Sequence, residues 1–442
     1  MAAIVNIPLV FGQRMYVVTD PTPVLVSSFV TAATLRLASV LPELMKSWAP
    51  FSSRAQSELP VSFKRWLRVM PGALSGAVAQ QIHRCVIPLL AKQIEAVRAE
   101  VEEKGHGFFE VEDLAKWLSD LASRAMMVGM GGREWSWCQD QDFLDAFWSR
   151  KGPSYYLVNS FVLRDYGTTR AFMLTDVIGP IQGVRALSDT LQHKSAPSFT
   201  APRSTRARNQ VLERLSQWMV ELENNPESHS KLSAVARTLF KLPVSQGWST
   251  HDKAATTLIM LCAGLSNEVP TVFWIFVNIL TRPDLLARLR REGDAFLHGS
   301  KRLPGRQSVG DDDDVFAMAA ARLAEASLPG IQSSCHLLYA CYQEAQRLAT
   351  VGPVLRRVSR DTIIQSETGS FLLKKGSLAF LPTNVLHLSQ ERWGEDAAMF
   401  VSERPGRKDV ERARALIPAL RPWTGVDSLR PTSCYLRFFF SS

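Results

Sequence analysis

A chain of 442 residues with 46% hydrophobic and 21% charged side chains can bury a sizeable core, which sets it apart from disordered and collagen-like polypeptides. Its formal charge of +9 suits an acidic partner or an anionic membrane surface as well as a plain arginine-rich exterior, and no basic stretch is interleaved with aromatics in a nucleic-acid pattern. The six cysteines, at 85, 138, 262, 335, 341 and 434, include no CxxC pair, which argues against zinc and disulfide frameworks, and the histidines show no metal spacing.

No signal-peptide pattern opens the chain and no run of about 18 apolar residues occurs, so no membrane-spanning segment is expected. Residues 1–25 alternate around Gly12-Gln13, with Ile4, Val5 and Ile7 before the turn and Met15 to Val18 after it, which predicts a hairpin. Amphipathic helices are expected over Ser75–Glu103 and Val111–Met127. The aromatics Trp135, Trp137, Phe143, Phe147 and Trp148 read as core packing around a turn at Gly131-Gly132. His193–Ser204 is rich in Pro and Ser and predicts a loop, with helix resuming over Asn209–Glu223.

The segment Thr256–Leu280 is apolar on nearly all sides, the mark of a helix running through a core. Its polar centre is Ser266-Asn267-Glu268, and Pro270 just beyond removes an amide donor and predicts a kink. Thr281–Glu292 reads as a turn and a fresh helix with Pro283 in its first turn, and Asp311–Asp314 as a solvated loop. Leu337–Leu348 has near-helical apolar spacing and carries Glu344 and Arg347 on one face. Taken alone, that pair is an exposed ion pair worth roughly 0.2–0.5 kcal/mol. Val354–Arg357 and Asp361-Thr362 follow, then a short strand-like Phe371–Leu373 with a turn at Lys374–Gly376, the apolar Ser377–Leu381, Leu386-His387, Trp393–Asp396, Phe400 and Ser402–Pro405.

This order, from Glu344 to Pro405, resembles the K helix, the sheet strands and the PERF-like segment of the cytochrome P450 superfamily, with Pro405 where the family usually has Phe. Asn267-Glu268-Val269-Pro270 with Phe273-Trp274 resembles the branch of prostacyclin synthase and the sterol 7-alpha- and 12-alpha-hydroxylases, near which many fungal secondary-metabolism enzymes fall. The resemblance implies a mainly α fold with a small β-sheet lobe, one domain over 1–442, and haem as cofactor. It implies that Glu344, Arg347 and Arg404 form a buried charge network under the haem. Arg356 is where relatives often place a cation for a haem propionate, the alternative being a solvated strand arginine. Asn267 would hydrogen-bond beside the bound oxygen or peroxide, or else satisfy the carbonyl freed by Pro270; Glu268 would be the adjacent proton-handling acid. His387 matches a structural position of the family, and His193–Ser204 its substrate-entry lid.

The family's Phe-Gly-x-Gly-x-x-Leu-Cys-x-Gly loop delivers a thiolate to the iron. The matching stretch here is Pro422–Thr432, with Arg430 in the cysteine's place. A guanidinium stays protonated and is no donor to ferric iron; Cys434, four residues on, is the substitute a loop slip would need. A frame displaced by one base across Pro422–Tyr435 can read as a cysteine loop, which favours a frameshift or splice change. The domain is therefore expected to lack both an N-terminal anchor and a complete haem-ligand region. The implied activity is monooxygenation of a lipophilic small molecule such as a sterol, terpenoid or polyketide, with electrons from NADPH through a cytochrome P450 reductase. Alternatives are a haem-dependent isomerase or dehydratase of peroxides, and an inactive haem-free remnant that only binds. The implied location is the cytoplasm or the cytoplasmic face of the endoplasmic reticulum.

Overall fold

The computed structural model describes residues 4–404 apart from residue 21 and the stretches 9–13, 37–39, 41–44, 46–48, 74–75, 106–108, 133–139, 150–201, 299–311, 350–353 and 383–386. Strands β1 (Ile4–Pro8) and β2 (Arg14–Val18) form the expected antiparallel pair, its turn lying outside the described residues. Helix α1 (Pro23–Thr31) begins with proline at its first position and with the Thr22 hydroxyl accepting from the Leu25 amide at 3.4 Å, so an orphan donor is satisfied. The short β3 (Leu35–Arg36) follows.

A helical body comes next: α2 (Ser53–Ala73), α3 (Ala77–Lys104), α4 (Leu114–Gly131), α5 (Gln141–Ser149), α6 (Pro202–Asn224), α7 (Ala234–Ser245), α8 (Thr250–Leu280), α9 (Pro283–His298), α10 (Asp312–Glu325), α11 (Leu328–Ser334) and α12 (His336–Ala349). Helix α8 packs against α4, α6, α7, α9 and α12 and is the axis of the fold. Its Leu258, Leu265 and Val269 are buried in the largest core cluster with Trp66, Phe143, Phe147 and Trp218. Each such leucine contributes roughly 1.5–3 kcal/mol relative to exposure. The start of α8 is fixed by buried Asp252, which accepts from the Ser249 hydroxyl at its own cap and from the amide and hydroxyl of Ser52 before α2, all at 2.7 Å. Burial opposes ionisation of Asp252, but these hydrogen bonds outweigh it and hold the carboxyl below its ordinary range.

The sheet lobe closes with β4 (Val354–Val358), β5 (Thr362–Ser366), β6 (Gly369–Leu373) and β7 (Leu378–Leu381), then the one-turn α13 (Gln390–Trp393). Its five-stranded sheet has the order β1-β2-β7-β4-β3, with only the β2–β7 pair parallel. The β5–β6 hairpin is separate and docks on α1, where the Gln365 amide donates to the Ser28 hydroxyl at 3.0 Å.

Several expectations are corrected. Helix α2 escaped the sequence reading because Pro60 and Pro71 lie within it and normally argue against helix. Helix α6 begins at Pro202, inside the expected loop His193–Ser204, because proline is tolerated in a helix's first turn; residues 193–201 lie outside the described residues. Asp312 to Asp314 open α10 rather than forming a loop, since acidic residues favour a helix N-terminus. The expected core helix, by contrast, is borne out: α8 runs through Pro270, which removes the donor for the Ser266 carbonyl. Among the described residues no single helix is long and apolar enough to cross a membrane.

Candidate active site

Glu344 and Arg347, three residues apart on α12, face the same way and pair in a fork: Arg347 Nε to Glu344 Oε2 at 2.9 Å and Nη2 to Oε1 at 2.8 Å. The same Oε1 accepts from Arg404 Nε at 2.8 Å and from the Val401 amide at 3.1 Å. Arg404 in turn donates to Asp396 Oδ1 at 2.6 Å and to the carbonyls of Trp393 and Asp396 at 2.7 Å. Arg347 reaches the carbonyls of His387 and Ala397, and its guanidinium stacks 5.1 Å from the Trp393 ring centre.

Glu344, Arg347 and Arg404 are 2%, 6% and 0% exposed, so the exposed ion-pair alternative does not apply. Two carboxylates balance two guanidinium groups, which is the condition under which buried charge is tolerated. Burial works against the charge on Arg404, but hydrogen bonds to Asp396 and Glu344 outweigh it and raise its affinity for the proton. The imidazole of His387 is pushed down to about 4 by burial and by Arg347, so it is neutral at ordinary pH. The cluster fastens the stretch from His387 to Arg404 onto α12. Asp396 is the member that sequence reasoning passed over; its signal is an acid eight residues before Arg404.

Arg356 is different. It lies on β4 opposite Ala379 of β7, shares a sheet face with Val354 and Val358, and is 6% exposed, which rules out a solvated arginine. Its hydrogen bond among the described residues is to the neighbouring Leu355 carbonyl at 3.1 Å, and no carboxylate of those residues pairs with it. Burial pushes the guanidinium down to about 10, so it keeps its charge near neutrality. A buried cation without a counter-charge is costly, and an anion brought to it would be held strongly.

At the centre of α8, Asn267 and Glu268 occupy consecutive helical positions; the side chain of Asn267 lies outside the described residues. Glu268 is half-buried by area, yet its carboxyl is set deep enough that burial alone raises it to about 7. Such a group carries a proton for part of the time at neutral pH, as general acids and bases must.

Arg430, Cys434 and Pro405 lie outside the described residues. Of the free cysteines described, Cys341 is fully buried in the α12 core, and burial pushes its thiol up to about 12. Among the described residues no three His, Cys, Asp or Glu side chains group to hold a metal.

The family model for cytochrome P450 matches residues 195–418, which takes in α6 to α12, strands β4 to β7 and the buried cluster. A cytochrome P450 monooxygenase of Gibberella zeae is 30% identical over 231 residues, covering 52% of this chain and 40% of that protein. The 25-hydroxycholesterol 7-alpha-hydroxylase of Rattus norvegicus is 27% identical over 147 residues, covering 33% of this chain and 31% of its own. The chain thus matches well under half the length of either relative. The crystal structure of a cytochrome P450 superposes with a TM-score of 0.59 at 15% identity, covering 100% of this chain and 84% of that one, and so shares the fold. Since the family match spans more than half of the 442 residues and contains the α12 charge cluster, the chain belongs to the cytochrome P450 family.

Proposed function

We propose that the chain derives from a haem-dependent monooxygenase of lipophilic small molecules, a sterol or a fungal secondary metabolite, supplied with electrons from NADPH by a reductase. The observation that carries this reading is Arg356, a buried cation with which no carboxylate among the described residues pairs. Members of the family carry haem, whose propionates are anions, and a guanidinium is suited to hold a carboxylate by paired hydrogen bonds. Arg356 therefore fits the anionic edge of the group. When bound, haem supplies the oxygen-activating chemistry of the family.

The chain's own residues then have separable tasks. Arg356 neutralises and orients a carboxylate from β4. Glu344, Arg347, Asp396 and Arg404 hold the stretch His387–Arg404 in one position relative to α12. Glu268 carries a proton for part of the time at neutral pH and so can give or take one within the site. Asn267 is the neighbouring position on α8, one turn from Pro270, which leaves the Ser266 carbonyl without its helical donor, and is assigned the hydrogen bond beside the bound oxygen. The similarity to a 25-hydroxycholesterol 7-alpha-hydroxylase supports a sterol as the first substrate class to test.

Arg430 favours a second reading, a form of this scaffold that binds without turnover, because the position matched to the axial cysteine carries a cation. One experiment separates the two. The purified chain is titrated with haem and followed by its Soret absorbance, then supplied with NADPH, a reductase and 25-hydroxycholesterol. Haem uptake with oxygenated product supports the monooxygenase; uptake without product supports the binding form; no uptake defeats the haem assignment.

A further inference from the structure

Gly264 stands one helical turn before Glu268 on α8, so the two positions share a face. A Cβ at 264 would lie 2.9 Å from the Met130 Sδ and 3.0 Å from its methyl carbon, so the missing side chain leaves a notch that this thioether of α4 occupies. In a helix the Cα–Cβ bond tilts toward the N-terminus, which aims the Glu268 side chain back over the turn containing Gly264. Met130 thus occupies a notch one turn back from Glu268, on the face of α8 that the two positions share.

The methionine is firmly placed. Its carbonyl accepts the Ser233 hydroxyl, the Ser233 amide donates to the Gly131 carbonyl at 2.8 Å, and the Gly132 amide caps α4 on Val128 at 2.8 Å. Gly132 takes a φ of 124°, and a Cβ there would stand 2.5 Å from the Lys231 carbonyl, so the end of α4 is clamped tightly against residues 231–233.

We propose that Met130 is a positioning residue for Glu268: its thioether fills the Gly264 notch and keeps water from the Glu268 carboxyl. Among the described residues it is burial, rather than a neighbouring charge, that raises that carboxyl. The inference rests on the reading of Glu268 as the acid of the site, but its test needs no turnover.

The test is an infrared pH titration of the full chain, following the carbonyl band of a protonated carboxyl and assigning it by its loss in Glu268→Gln. A Glu268 midpoint near about 7 is expected in the parent. Met130→Leu, apolar and of similar volume, should leave it in place, whereas Met130→Gln, of similar length but polar, should lower it by about one unit, a tenfold change in proton affinity. Should Met130→Gln fail to fold, Met130→Ala opens the same notch and should lower the midpoint likewise. An unchanged midpoint in the polar or truncated variant overturns the proposal, as does an equal fall in Met130→Leu. Absence of any Glu268 band near neutrality instead overturns the reading of Glu268 itself.

Discussion

Arg404 Nε meets Glu344 Oε1 at 2.8 Å across 60 residues of sequence, and neither side chain is more than 2% exposed. The contact joins α12 to the last described residue, so the loop carrying Trp393, Asp396 and Phe400 is held at both ends. Because Glu344 also holds Arg347, a single carboxylate bridges two buried cations, and Asp396 supplies the second negative charge. The arrangement is cooperative in the sense that removing one member strands another in low dielectric.

Glu344→Ala should consequently destabilise the protein by about 3–5 kcal/mol, far beyond the loss of an exposed pair. Chemical denaturation compares the variant with its parent at pH 7. A difference under about 1 kcal/mol would mean that the cluster is wet and mobile in solution. Asp396→Asn should cost less, since Asp396 is partly exposed and Arg404 keeps Glu344 and two carbonyls.

Arg356→Gln should weaken haem uptake by roughly 10–100-fold, corresponding to loss of a charge-assisted hydrogen bond of about 1.5–3 kcal/mol. Removing a buried, uncompensated charge should leave the apoprotein's melting temperature unchanged or higher. Equal haem affinity in the two proteins, measured by Soret titration, would return Arg356 to a purely structural role.

On the reading that puts Arg430 in the place of the axial cysteine, the chain should not give the reduced carbon-monoxide spectrum of a thiolate-ligated haem. A clean thiolate-type band from purified protein, lost in Cys434→Ser, would show that Cys434 reaches the iron.

Much of the fold and of the site is legible in the sequence, for physical reasons that differ by element. Helix α8 announces itself because a helix buried on nearly all sides is apolar on nearly all sides. Glu344, Arg347 and Arg404 were found through the order of motifs around them, not through their spacing, which an exposed pair shares. Whether Arg356 is buried was not readable, because the period-2 pattern of a strand leaves both faces open until α1 and the β5–β6 hairpin cover one. The approach of Met130 to Gly264 was invisible for a stronger reason: it depends on the depth at which α4 settles against α8, and no local sequence signal encodes that.

The pH dependence of stability should carry the mark of Glu268. Its folded-state value, raised to about 7 from 4.5, means that between these limits the unfolded chain ionises while the folded one keeps its proton. The associated stability is present in full below about 4.5 and is lost as pH rises through about 7, a change of roughly 3 kcal/mol by linkage. Glu268→Gln cannot ionise, so relative to the parent it should gain stability with rising pH, with little difference near pH 4 and most of the 3 kcal/mol by pH 8. His387 acts in the opposite sense: depressed to about 4 by burial, it withdraws stability as pH falls from 6.5, and it does so in both proteins. Subtracting one pH–stability curve from the other therefore removes His387 and leaves Glu268 alone. A difference that stays flat from pH 4 to pH 8 would show that the Glu268 carboxyl is hydrated and ionises normally.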